Sequence, residues 1–127
     1  MIPVRRRAGL IGLWVAQIAL ASFFLLAGGS KLAGVPETVT LFEAIGVGQW
    51  FRYVTGLIEV GSAIALFVPS LALLGAVALV ATMLGAIATH VFVLGVSPAV
   101  PAVLLLAALV VVWARRGQLL AALRGAR

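Results

Sequence analysis

With 127 residues, 65% of them hydrophobic and only 9% charged, the chain carries more apolar surface than a water-soluble domain of its size can bury, which places it in a bilayer as one small domain. Cysteine is absent, which excludes intrinsic thiol–disulfide chemistry, a disulfide framework and cysteine-held metal clusters. The net charge of +6 is not a nucleic-acid signature: Arg5, Arg6 and Arg7 precede the first apolar run and Arg115, Arg116, Arg124 and Arg127 follow the last, and such flanks set topology and attract anionic head groups.

The first predicted span covers about residues 10–28, long enough to cross at ~1.5 Å per residue. Its arginine-led start resembles a signal peptide, but the length of the apolar run favours a retained anchor. Gln17, Ala21, Phe24, Gly28 and Lys31 follow at spacings of four, three, four and three, so they share one face. That face is assigned to the interior. Lysine at a helix end also has a simpler reading, which is that it snorkels to the interface. The connection up to Trp50 is the least regular stretch. Gly28-Gly29 reads as a hinge, and Pro36 opens a short interfacial helix through Glu37, Leu41, Phe42 and Ile45 that Gly46 and Gly48 end. Its apolar residues are expected against the bundle mouth or in the head-group layer. Trp50 to Tyr53 then forms an aromatic and cationic belt.

The second span, about 52–68, places Glu59 deep in an apolar segment. An acidic residue at a helix centre costs roughly 2.5–3.5 kcal/mol on insertion scales, and each of Val54, Leu57, Ile58, Val60, Ile64, Leu66, Phe67 and Val68 returns about 0.3–0.6. The two sides roughly cancel, so this helix depends on its neighbours. Arg52, Thr55, Gly56, Ser62 and Ala63 lie at helical spacing from Glu59, whereas Leu57, Ile58, Ile64, Phe67 and Val68 lie opposite. Glu59 should therefore point into a bundle. Pro69-Ser70 turns the chain into a third span, about 71–94, which holds the single histidine, His90, on a side rich in small residues. A fourth span, about 99–114, contains no ionisable residue, and Pro101 falls in its first turn, where proline is tolerated. Trp113 reads as an interface anchor, and the tail through Leu119, Leu120 and Leu123 as an amphipathic surface helix.

The predicted fold is thus an all-α membrane protein, a four-transmembrane-helix bundle in one domain over 1–127, with a short interfacial segment between helices 1 and 2. Basic ends predict a multi-pass cell-membrane protein with cytoplasmic N- and C-termini. Lys31, Glu59, His90, Arg52, Glu37 and Glu43 then gather in the outer half of the bundle. Ionisable residues inside membranes face each other or a cavity and mark function by default. Glu59, His90, Lys31, Gln17 and Arg52 are accordingly the candidates for ligand binding or proton relay. For Glu59 the plainer alternative is a hydrogen bond to His90, Thr55 or Ser62 that fixes helix register, and for His90 simple packing. One histidine and scattered glutamates make no recognisable metal set. Gly28-Gly29 and Gly46-Val47-Gly48 lack the strand–turn–helix context of a phosphate cradle.

Phe24-Leu25-Leu26-Ala27-Gly28-Gly29-Ser30-Lys31-Leu32 resembles the first-helix signature of DoxX-like membrane proteins. Gly56-Leu57-Ile58-Glu59-Val60-Gly61 with Leu66-Phe67-Val68-Pro69 resembles their second-helix motif, and Met83 through Ala86 to His90 their third. The resemblance implies a four-helix membrane bundle, and an association with thiosulfate:quinone oxidoreductase subunits or with membrane complexes handling oxidative stress. It carries Lys31, Glu59 and His90 over by motif.

The leading functional expectation is a redox-associated membrane subunit that binds a quinone or similar amphiphile near Glu59 and His90. Holding no intrinsic cofactor and no self-contained catalytic or electron-carrying motif, it would need a redox partner protein, as a non-catalytic subunit of a quinone-linked oxidoreductase. A small proton-coupled transporter or amphiphile-binding protein, which for transport four short helices would support best as a homo-oligomer, and a membrane scaffold for a partner protein are the alternatives. The bilayer itself is an expected partner and nucleic acid is not.

Overall fold

The computed structural model describes the backbone of residues 4–125 and the side chains of residues 8–117. The helices are α1 (Val4–Ala33), α2 (Pro36–Ile45), α3 (Trp50–Phe67), α4 (Ala72–Ala88), which runs on as a π-helical turn over Thr89–Leu94, and α5 (Ala99–Gly125). Four segments are long and apolar enough to cross a membrane: Ala8–Ala33, Trp50–Phe67, Ala72–Leu94 and Ala99–Gly117. The fold is an all-α bundle of four such spans, with α2 as the short segment between the first two. Among the described residues there is no strand. The basic side chains of Arg5, Arg6, Arg7, Arg124 and Arg127, and the apolar stripe expected at Leu119, Leu120 and Leu123, lie outside the described side chains, although the backbone of α5 stays helical to Gly125.

Helix α1 passes straight through Gly28-Gly29, so this pair is no hinge. The reason is local packing. A methyl group at Gly28 would stand 2.9 Å from the Gly56 carbonyl oxygen and 3.0 Å from Glu59 Cβ, and one at Gly56 would stand 3.0 Å from the Gly28 carbonyl oxygen. The missing side chains bring the two backbones together. The chain breaks five residues later, where Gly34 takes φ +74° and the Val35 N–H donates to the Ser30 carbonyl at 3.1 Å. Helix α2 begins with Pro36 in its first turn and stops at Gly46, φ +82°, whose N–H returns to Phe42 O.

Helix α1 packs most extensively on α3, and α4 on α5, with α3 and α4 joining the pairs. Each span gives a large, fully buried apolar side chain to the core, Phe24, Leu66, Leu79 and Val111 in turn. On α3 the buried residues are Arg52, Gly56, Glu59, Ser62, Ala63 and Leu66, while Leu57, Ile58, Ile64, Phe67 and Val68 are exposed. That division follows the 3.6-residue period and puts the acid on the packed face. Exposed apolar side chains such as Leu26 and Phe92 mark the surface that meets lipid.

Candidate functional site

Glu59 sits nine residues into α3 from Trp50, roughly 13 Å along the axis. Its side chain is 4% exposed, and Lys31 Nζ lies 2.9 Å from Oε2. The lysine arrives from the last turn of α1, and the Gly28–Gly56 contact brings α1 close enough for it to reach. A buried carboxylate with no partner is prohibitively costly in hydrocarbon, and pairing with a hydrogen-bonded ammonium makes it tolerable. The partner of Glu59 is thus Lys31. Thr55 instead donates to the Phe51 carbonyl at 2.8 Å, one turn back in its own helix. Lys31 is turned inward, not snorkelling away from the bundle.

His90 is the second residue of the π-helical turn. Such widened turns are rare and frequently occur where side chains must be re-aimed for function. Its Nδ1 lies 2.7 Å from the Ala86 carbonyl oxygen; a carbonyl only accepts, so Nδ1 donates, and in a neutral ring Nε2 is then the acceptor. Neither Nε2 of His90 nor Oε1 of Glu59 takes a hydrogen bond among the described residues.

Lys31, Glu59 and His90 all line one cavity of about 370 Å³. Thr55, Thr82 and Thr89 add hydroxyls to the lining, but each of the three donates to the carbonyl one turn back in its own helix. The remaining walls are mostly apolar. Phe24 comes from α1, Phe42 and Ile45 from α2, Phe51 from the start of α3, Met83 from α4 and Leu104 from α5. Helix α2 therefore forms part of the wall with its apolar side. Helix α5 contributes too, through Val100, Pro101 and Leu104, a role its featureless apolar sequence did not signal.

Arg52 is placed near this centre but not on the cavity. Its Nη1 donates to the Lys31 carbonyl oxygen, its Nε donates to Gln49 Oε1 at 2.7 Å, and its guanidinium lies 4.3 Å from the centre of the Tyr53 ring. It caps the end of α1, where unpaired carbonyls favour a cation. Gln49 Nε2 donates to the Val39 carbonyl at 3.1 Å, so one polar chain ties α2, α3 and the end of α1 together. Gln49 escaped the sequence reading, although its place three residues before Arg52 was the available signal.

Gln17 is fully interior, as the shared face required, but it lies fourteen residues from Lys31, roughly 21 Å along α1. Its Nε2 donates to Leu66 O at 2.9 Å, and its Oε1 accepts from Arg115 Nε at 2.9 Å. It belongs to the other end of the bundle. Among the described residues no three His, Cys, Asp or Glu side chains converge on a point that could hold a metal ion.

A polar trio in an apolar chamber can bind an amphiphile by its head and exchange protons with it. Lys31 supplies a donor, and Glu59 Oε1 and His90 Nε2 supply acceptors. A model of the DoxX-like family matches residues 15–114, a range that contains all three side chains. No curated protein and no solved structure matches the chain.

Proposed function

The chain belongs to the DoxX-like family, and from that premise we propose that it is a redox-associated membrane subunit whose chamber binds a quinone or similar amphiphile. The observation that carries this reading is the placing of Lys31, Glu59 and His90 on one otherwise apolar cavity. A quinone head is neutral and flat, with a carbonyl oxygen at each end. Lys31 Nζ suits the carbonyl of the oxidised form as a donor, while Glu59 Oε1 and His90 Nε2 suit the hydroxyl protons of the reduced form. The apolar walls suit the first units of an isoprenoid tail. Two electrons and two protons separate the forms. The electrons come from a partner redox protein, since this chain has no thiol to carry them, and His90 and Glu59 handle the protons.

The test is titration of the purified chain in neutral detergent with a short-tailed ubiquinol, kept reduced, read by calorimetry. Saturable binding is expected, and both Glu59→Gln and His90→Ala should weaken it by at least about tenfold, the loss typical of a charge-assisted hydrogen bond in a dry site. No binding to the unaltered chain, or unchanged binding in both folded variants, overturns the proposal. One observation favours a second reading, a scaffold that stabilises a partner. The Lys31–Glu59 bond is complete without a guest, as a purely helix-locking pair would be. In that case Glu59→Gln lowers the melting temperature and no ligand binding is detected.

A further inference from the structure

The chain has three acidic side chains, Glu37, Glu43 and Glu59. Glu59 is paired with Lys31, and the other two lie on α2, at the end where α1 finishes and α3 begins. The opposite end, where α1 starts and α5 finishes, carries Arg5, Arg6, Arg7, Arg115, Arg116, Arg124 and Arg127 in the sequence and no acidic side chain. Whatever balances those charges comes from outside the chain.

Arg115 is held in place there. Its Nε donates to Gln17 Oε1 at 2.9 Å, and Gln17 is itself fixed by donating to Leu66 O at 2.9 Å. The guanidinium lies 5.1 Å from the centre of the Trp14 ring. Its Nη2 is buried and has no hydrogen-bond partner. A cation oriented by two side chains of α1, with a donor left over and no acid beside it among the described residues, is the arrangement that receives an anionic acceptor. Beside it Arg116 lies 4.1 Å from the Trp113 ring. Tryptophan–arginine pairs at the ends of apolar spans mark the head-group layer, where the available anions are lipid phosphates. A planar guanidinium matches the oxygens of a phosphate group.

We propose that Arg115, oriented by Gln17 and Trp14, anchors a binding site for the phosphate of an anionic glycerophospholipid. The site is separate from the Glu59 chamber and does not depend on what that chamber binds. The test is native mass spectrometry of the full chain in neutral detergent, with phosphatidylglycerol competing against phosphatidylcholine of the same acyl length. A preference for phosphatidylglycerol of about fivefold is expected, the factor that a surface cation's attraction for an anionic lipid corresponds to. Arg115→Gln should abolish it, whereas changing Arg5, Arg6 and Arg7 together to glutamine should leave most of it. Equal binding of the two lipids by the unaltered chain, or a preference that survives in folded Arg115→Gln, overturns the proposal. If Arg115→Gln does not fold, the triple variant decides: retained preference supports the site and lost preference sinks it. Millimolar inorganic phosphate should not displace the lipid, and displacement would make this a free-anion site instead.

Discussion

Glu59 is stable inside a membrane span because Lys31 reaches it across the α1–α3 contact, and the pair must be judged as a unit. Lys31→Met leaves the carboxylate buried and alone, so it should destabilise the protein strongly, at the lower end of the ~3–5 kcal/mol typical of a broken buried pair since Lys31 keeps some exposure. Removing both charges, as Lys31→Met with Glu59→Leu, should restore most of that loss, because two apolar side chains carry no desolvation cost. Thermal unfolding in detergent measures both, and a double variant no better than the single one would show that the ion pair is not the relevant coupling. His90 differs. Its bond is to a carbonyl of its own helix, so His90→Phe should move the melting point little while closing the chamber to a polar head.

Where helices meet, the two adjacent glycines of α1 separate the causes. Gly28→Ala puts a methyl against the Gly56 carbonyl and Glu59 Cβ, backbone-anchored groups that cannot give way, so α1 and α3 must part at a cost of about 1–3 kcal/mol. Gly29→Ala meets nothing within 4 Å and should be neutral or slightly stabilising by its higher helix propensity. Equal melting points for the two variants would mean that the close approach is not a stabilising contact. Much of this level was legible beforehand. The face Gln17, Ala21, Phe24, Gly28 is buried throughout, and the 3.6-residue period predicted it. The small residues and the acid of α3 face inward for the same reason. Helix α2 was legible from Pro36 and Gly46. What the sequence could not tell is which of several small or polar neighbours an acid will meet. Glu59 had Thr55 and Ser62 in reach by helical arithmetic and His90 at similar depth, and the choice of Lys31 depends on how closely two backbones approach. The reading of Gly28-Gly29 as a hinge failed for that reason: a glycine pair loosens a free helix but tightens one that packs through it. The π-helical turn at His90 left no composition signal at all, and Arg115 meeting Gln17 across 98 positions is a product of tertiary packing alone.

For the molecule as a whole, we propose from the basic ends and the positive-inside rule that both termini are cytoplasmic and that α2 lies on the other side. The chain has no native cysteine, so single cysteines report topology cleanly. With Thr40→Cys on exposed α2 and Gly117→Cys on α5, an impermeant maleimide applied to intact cells should label the first and spare the second. The reverse pattern would invert the assignment and with it the leaflet from which the chamber is reached. The interlock of Gly28 with Gly56 carries one more mechanical meaning. Two backbones in van der Waals contact, with an ion pair beside them, tie α1 to α3. On the proposed reading, in which the chamber takes a guest, the movable wall would be α2 and the π turn of His90, which line the same chamber. A covalent tether between α1 and α3 would leave guest exchange running, whereas one joining α2 to that turn would jam it shut.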